Sequence, residues 1–99
     1  MKLIAAYCLD APDMSETRRK TRPAHLEFLR RLGTRIKLAG PLMDDACEKP
    51  IGSFLILEAE SLSDAKSVLA GDPYAQAGLF RSVSLSPWRG VLGEWWERP

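Results

Sequence analysis

Four residues carry the chemistry open to this sequence: His25, Asp72, Ser53 and Arg22. His25 is the only histidine, and an imidazole exchanges protons near neutral pH. With Phe28, Leu29 and Leu32 it recurs at i, i+3, i+4 and i+7, which is one face of a helix, so its ring points at whatever that face packs on. The same placement suits a partly buried histidine bonded to a backbone carbonyl. Asp72 precedes Pro73. A carboxylate there can orient an imidazole and stabilise its charged form, and it can equally cap a helical turn that has proline at its first position. One role does not exclude the other.

Ser53 follows Gly52 at the entry to a strand. Its hydroxyl can donate to an anionic substrate or intermediate. No nucleophile-elbow motif surrounds it, so it does not read as a nucleophile; its plain role is strand entry. Arg22 ends the basic run Arg18, Arg19, Lys20, Arg22. The run reads as a solvated helix face, with Arg22 close enough to His25 to bind a substrate carboxylate. There is no metal-ligand spacing, phosphate-binding glycine loop or dinucleotide fingerprint, and the expectation is neither cofactor nor metal. Cys8 and Cys47 read as free thiols.

The elements that must position these residues alternate along the chain. Lys2 to Leu9 is a strand with apolar residues on both faces, ended by the turn residues Asp10-Ala11-Pro12-Asp13. Ser15 to Leu32 is helix, in one or two pieces: Ser15 can cap a first turn, and Thr21-Arg22-Pro23 can start a second. Gly33 suits the position just past its end. Arg35 to Leu42 is a short strand, Met43 to Ile51 a polar loop, and Gly52 to Glu60 the clearest strand. Ser61 to Ala70 is a second helix, capped by Ser61 or Ser63. Gly71-Asp72-Pro73-Tyr74 breaks it and begins a short helical turn, and Leu79 to Trp88 is the last main strand. The tail from Arg89 to Pro99 carries Trp95 and Trp96 and has room for a short edge strand.

Strand, helix, strand, strand, helix, strand is the ferredoxin-like βαββαβ plan: an α+β fold with a four-stranded antiparallel sheet and two helices on one face. Two helices leave the other face bare. The first and third strands are apolar there too, which favours a partner, most simply a second copy packed sheet to sheet. The tail tryptophans either help close such an interface or patch a loop.

At 99 residues, with 14 basic and 13 acidic side chains and a formal net charge of +1, the chain reads as one domain without the one-sided charge of a nucleic-acid or membrane-surface protein. The apolar run in MKLIAAYCLD is too short for a signal segment or a membrane span, so the cytoplasm is expected.

Arg22-Pro23-Ala24-His25-Leu26, Ala39-Gly40-Pro41, Gly52-Ser53, Asp72-Pro73-Tyr74 with Ala77-Gly78, and Pro87-Trp88 are together similar to the YciI-like family, from Tyr7 to Trp88. The Gly93-Glu94-Trp95-Trp96 extension lies outside the resemblance. It implies a dimeric α+β barrel and an active site with a histidine and an aspartate, here His25 and Asp72, with Ser53 as a neighbour. Some relatives are lyases or isomerases acting on ring-derived acids, by dehydrochlorination of hydroxylated chloroaromatics or by lactone isomerisation.

Two functions follow. The first is a cofactor-free lyase or isomerase in which His25 moves a proton, Asp72 holds the ring, and Arg22 or Ser53 binds substrate oxygen. The second is a non-catalytic dimeric module that binds a small ligand. An imidazole within about 3.2 Å of Asp72 at the floor of an open cleft favours the enzyme. A sealed His25, with Asp72 turned to cap its own helix, favours the module.

Overall fold

Alternation decides the first strand. β1 (Lys2–Asp10) sends Ile4, Ala6 and Cys8 to one face, where all three are buried. Leu3, Ala5, Tyr7 and Leu9 point to the other face and stay partly or well exposed. The computed structural model describes residues 1–94. In it β1 is a central strand, paired antiparallel with β3 (Pro50–Ala59) and β4 (Phe80–Pro87), while β2 (Ile36–Met43) pairs with β3. The order is β2-β3-β1-β4.

The helices α1 (Ser15–Leu32) and α2 (Leu62–Ala70) lie on one face of this sheet, and a single turn, α3 (Pro73–Gln76), follows α2. The core between them joins Ile4, Ala6 and Cys8 of β1 to Leu55, Leu57 and Ala59 of β3 and to Ala65 and Leu69 of α2, with Leu29 of α1 packed against them. Each fully buried leucine or isoleucine in that layer contributes about 1.5–3 kcal/mol. The observed plan is the ferredoxin-like α+β fold.

Register carries the core pattern into the site. Ile4 lies opposite Leu57, Ala6 opposite Leu55 and Cys8 opposite Ser53. Ser53 therefore sits on the helix side of the sheet and is buried. Gly52, beside it, has no room for a side chain: a Cβ there would lie 2.2 Å from the Cys8 carbonyl oxygen.

Of the one or two pieces open to it, α1 takes one: it is a continuous helix with Pro23 inside it. Proline forfeits one intrahelical bond, but the face holding His25 and Leu29 is packed on both sides of it, so the helix does not restart. Ser15 is not the cap: Met14 holds that position without a side-chain hydrogen bond, and Ser15 is the first helical residue. At α2 the Ser61 hydroxyl does cap, accepting from the Asp64 N–H at 3.0 Å.

Among the described residues no helix covers the other face of the sheet. Its apolar half is formed by Leu38 of β2 and Phe54 and Ile56 of β3, which with Trp88 and Leu92 line a groove of about 500 Å³. β4 places Ser82, Ser84 and Ser86 opposite Leu9, Tyr7 and Ala5, so its half of that face is polar. Residues 88–94 form no strand, and Trp95 and Trp96 lie outside the described residues. Among the described residues no helix is long and apolar enough to cross a membrane.

Candidate active site

The chain after α2 is shaped by Pro73. A residue before proline is pushed out of the helical region, and Asp72 is extended, with φ −64° and ψ 127°. From there its carboxylate turns back over α3 and accepts the Tyr74 N–H at 2.9 Å. The same carboxylate meets His25: Nδ1 lies 2.9 Å from Oδ1 and 3.0 Å from Oδ2. His25 is 8% exposed and Asp72 2%.

A carboxylate only accepts, so Nδ1–H donates and the neutral ring keeps its lone pair on Nε2. Nε2 has no hydrogen bond to a described residue, yet no buried side-chain nitrogen or oxygen is left unsatisfied among them. Nε2 therefore keeps some exposure, on a side chain that is 10% exposed. The pair is nearly but not completely buried. Asp72 caps its turn and holds the imidazole at once, and one ring nitrogen is left to meet a ligand.

A second cluster lies two turns earlier on α1. Arg18 is 6% exposed. Its Nε donates to Asp10 Oδ2 at 2.8 Å, and its Nη2 donates to Asp10 Oδ1 and to Ser53 Oγ, both at 2.9 Å. Burial works against the guanidinium's charge, but the hydrogen bond and charge of Asp10, with the Tyr74 phenol adding to them, together outweigh it, and Arg18 stays above the ordinary arginine range. Because Ser53 Oγ accepts from Arg18, its own proton is available to an oxygen of a ligand.

Here the sequence reading needs correction: Arg18 is not part of a solvated face. Arg18 and His25 are seven residues apart, so the apolar stripe read from His25 to Leu32 continues backwards to Arg18. That spacing was the available signal. Arg22 lies on the same side but is exposed. Its charge reaches the Tyr74 phenol, which burial pushes up and which the charges of Arg18 and Arg22 pull partly back.

Cys8 and Tyr74 join the two clusters. Burial pushes the Cys8 thiol up to about 11, the charges of Asp72 and Asp10 adding to the rise and that of Arg18 opposing it. It is a neutral filler at pH 7, since the thiolate is the nucleophilic form. The Tyr74 ring stacks on His25 with centroids 3.9 Å apart, and the Arg18 guanidinium lies 4.7 Å from its centroid. Among the described residues no three His, Cys, Asp or Glu side chains gather as a metal site would need.

The family model for the YCII-related domain matches residues 2–89. The chain belongs to that family. It is 36% identical over 97 residues to protein YciI of Escherichia coli, covering 91% of this chain and 99% of that one. It is 35% identical to an uncharacterized protein of Haemophilus influenzae, covering 87% and 95% of the two chains.

Among solved structures it is similar to 5-chloro-2-hydroxyhydroquinone dehydrochlorinase (TftG) of Burkholderia phenoliruptrix in complex with 2,5-dihydroxybenzoquinone. The TM-score is 0.84 at 32% identity, over 90% of this chain and 95% of that one. An antibiotic biosynthesis monooxygenase, 12% identical over 93% of this chain and all of its own, shares the fold with a TM-score of 0.57.

Proposed function

We propose that this protein is a lyase or isomerase that works by proton transfer on a small, oxygen-bearing, ring-derived substrate. The carrying observation is the buried His25–Asp72 hydrogen bond, which leaves Nε2 without a hydrogen bond to a described residue and not fully buried. Nε2 takes the substrate proton, and Asp72 holds the ring and stabilises the imidazolium. The Ser53 hydroxyl donates to the substrate oxygen as negative charge grows on it, with the positive charge of Arg18 directly behind that hydroxyl. Asp10 keeps Arg18 in place, and Arg22 stands at the exposed rim, where it attracts an acidic substrate.

The chemistry needs only these side chains. Removing a ring hydroxyl proton leaves an oxyanion. As its electrons re-enter the ring to form a carbonyl, a proton returns at another ring carbon, which completes an isomerisation; where that carbon carries a leaving group, removal of a second hydroxyl proton then expels the group with its bonding pair as a second carbonyl forms. Similarity to a dehydrochlorinase supports the elimination branch. The test is turnover of hydroxylated chloroaromatics and lactones by the wild type and His25→Ala. A loss of about 10²–10⁴-fold is expected, and unchanged turnover removes His25 from the mechanism.

The alternative, a non-catalytic small-ligand module, draws on the second role of Asp72 as the cap of α3. It predicts no turnover on that panel and ligand affinity unchanged in His25→Gln.

The proposal includes a homodimer formed through the bare sheet face, as in a dimeric α+β barrel. Support comes from Tyr7, Leu38, Phe54 and Trp88 on that face, with Tyr7 and Trp88 exposed. Phe54→Asp should convert a dimer to a monomer in light scattering, and a monomeric wild type at micromolar concentration would refute it. The unbridged thiols Cys8 and Cys47 agree with a cytoplasmic location.

A further inference from the structure

We propose that Tyr74 is a positioning residue whose ring locks the orientation of the His25 imidazole, keeping Nδ1 on Asp72 and Nε2 turned away from it. The inference rests on the proton-transfer reading, because the direction of Nε2 matters to chemistry only if Nε2 moves a proton.

The hydrogen bond alone does not fix the ring. Nδ1 lies almost equally far from the two Asp72 oxygens, at 2.9 and 3.0 Å, so the imidazole can tilt between them. Rotation of a histidine about its second side-chain torsion is also broad. A flat surface against the ring removes both freedoms. Tyr74 supplies it, with centroids 3.9 Å apart and planes 16° from parallel.

Tyr74 is itself held. It is 1% exposed. Phe80 meets it edge-on, with centroids 6.1 Å apart and planes at 85°, and the Arg18 guanidinium lies over its ring. It touches both members of the pair through different atoms: its ring contacts His25, and its backbone N–H bonds Asp72. A side-chain substitution therefore changes the surface under the imidazole while leaving the bond to the carboxylate in place. A tyrosine that served only as core filler would be replaceable by any side chain of similar volume.

His25 is the only histidine, so nitrogen-15 NMR of the imidazole reports on one site. In the wild type and in Tyr74→Phe the neutral ring should be a single tautomer with its proton on Nδ1 and slow exchange of that proton. In Tyr74→Met, which keeps a long apolar side chain but loses the flat face, both tautomers should appear, and Nδ1–H should exchange about three- to tenfold faster, the scale of one stacked aromatic pair. Phe80→Leu, which loosens Tyr74 without replacing it, should shift both readouts the same way and carries the test should the Met variant not fold. An unchanged tautomer and exchange rate in the folded variants would overturn the proposal. Unchanged turnover in His25→Ala bears on the proton-transfer reading alone, since the imidazole signals are read without substrate.

Discussion

Arg18 on α1 donates through Nη2 to the Ser53 hydroxyl on β3, 2.9 Å away and 35 residues along the chain. The bond fastens a helix to a central strand and turns two ordinary surface residue types into a buried donor pair. Its geometry depends on Asp10, which takes both oxygens' worth of hydrogen bonds from the same guanidinium.

Asp10→Ala should therefore be among the costliest single changes in the molecule. It leaves Arg18 charged and buried without its counterion, and breaking such a pair costs about 3–5 kcal/mol. Urea unfolding measures it. A loss below about 1 kcal/mol would mean that Arg18 swings out to water when its partner is gone.

Gly52→Ala should destabilise by about 2–3 kcal/mol, because the new methyl would overlap a backbone carbonyl that belongs to the β1–β3 ladder. The Leu42 methyl nearby, at 3.1 Å, can rotate away; the Cys8 carbonyl cannot. Thermal unfolding reads the stability. Turnover of the surviving folded protein should fall as well, since Ser53 moves with Gly52.

Asp72→Asn and Asp72→Ala should separate the two jobs of this side chain. Asparagine still accepts the Tyr74 N–H, so stability should fall by less than about 1 kcal/mol, whereas alanine also loses the cap, worth about 1 kcal/mol more. Both variants lose the charge that steadies an imidazolium, and both should lose turnover alike, on the order of 10²-fold or more. Equal stability of the two would deny Asp72 its cap role.

Alkaline pH should weaken the fold through Cys8. Its thiol rises from an ordinary 9.0 to about 11 in the folded state, so folding favours the neutral form. That contribution is complete below pH 9 and is lost as the pH climbs through 11, because the unfolded chain ionises first. Between pH 8 and pH 11.5 the stability of the wild type relative to Cys8→Ala should fall by about 2 kcal/mol after allowance for solvent screening. A constant gap would show that the thiol ionises freely in place.

The parts of this architecture written in local pattern could be read directly. Alternation marks β1 and β3, turn residues mark their ends, and the 3.6-residue stripe places His25 towards the sheet. Asp72-Pro73 announces a cap. Arg18 was hidden because its burial is not a local property: its neighbours Arg19 and Lys20 are exposed and charged, and the groups that make its burial tolerable arrive from β1 and β3. Tyr74 stood in a motif without a role, since a stacking partner 49 positions away in sequence is visible only once α1 and α3 are side by side. The bare sheet face was legible as an excess of apolar residues on two strands, but its polar β4 half depends on register, which pairs Ser82, Ser84 and Ser86 with β1.

Asp72 closes the turn of α3 through Oδ1 and grips the imidazole with that oxygen and its neighbour Oδ2. Readiness and local order are thus a single event. A fluctuation that frays residues 71–77 would release the histidine while the sheet stays intact, because the sheet's own ladder bonds lie elsewhere. Such molecules would be folded by every bulk measure and inert. The fraction of competent sites in a sample would then follow the opening equilibrium of one short turn, and slow amide exchange at Tyr74 would count them.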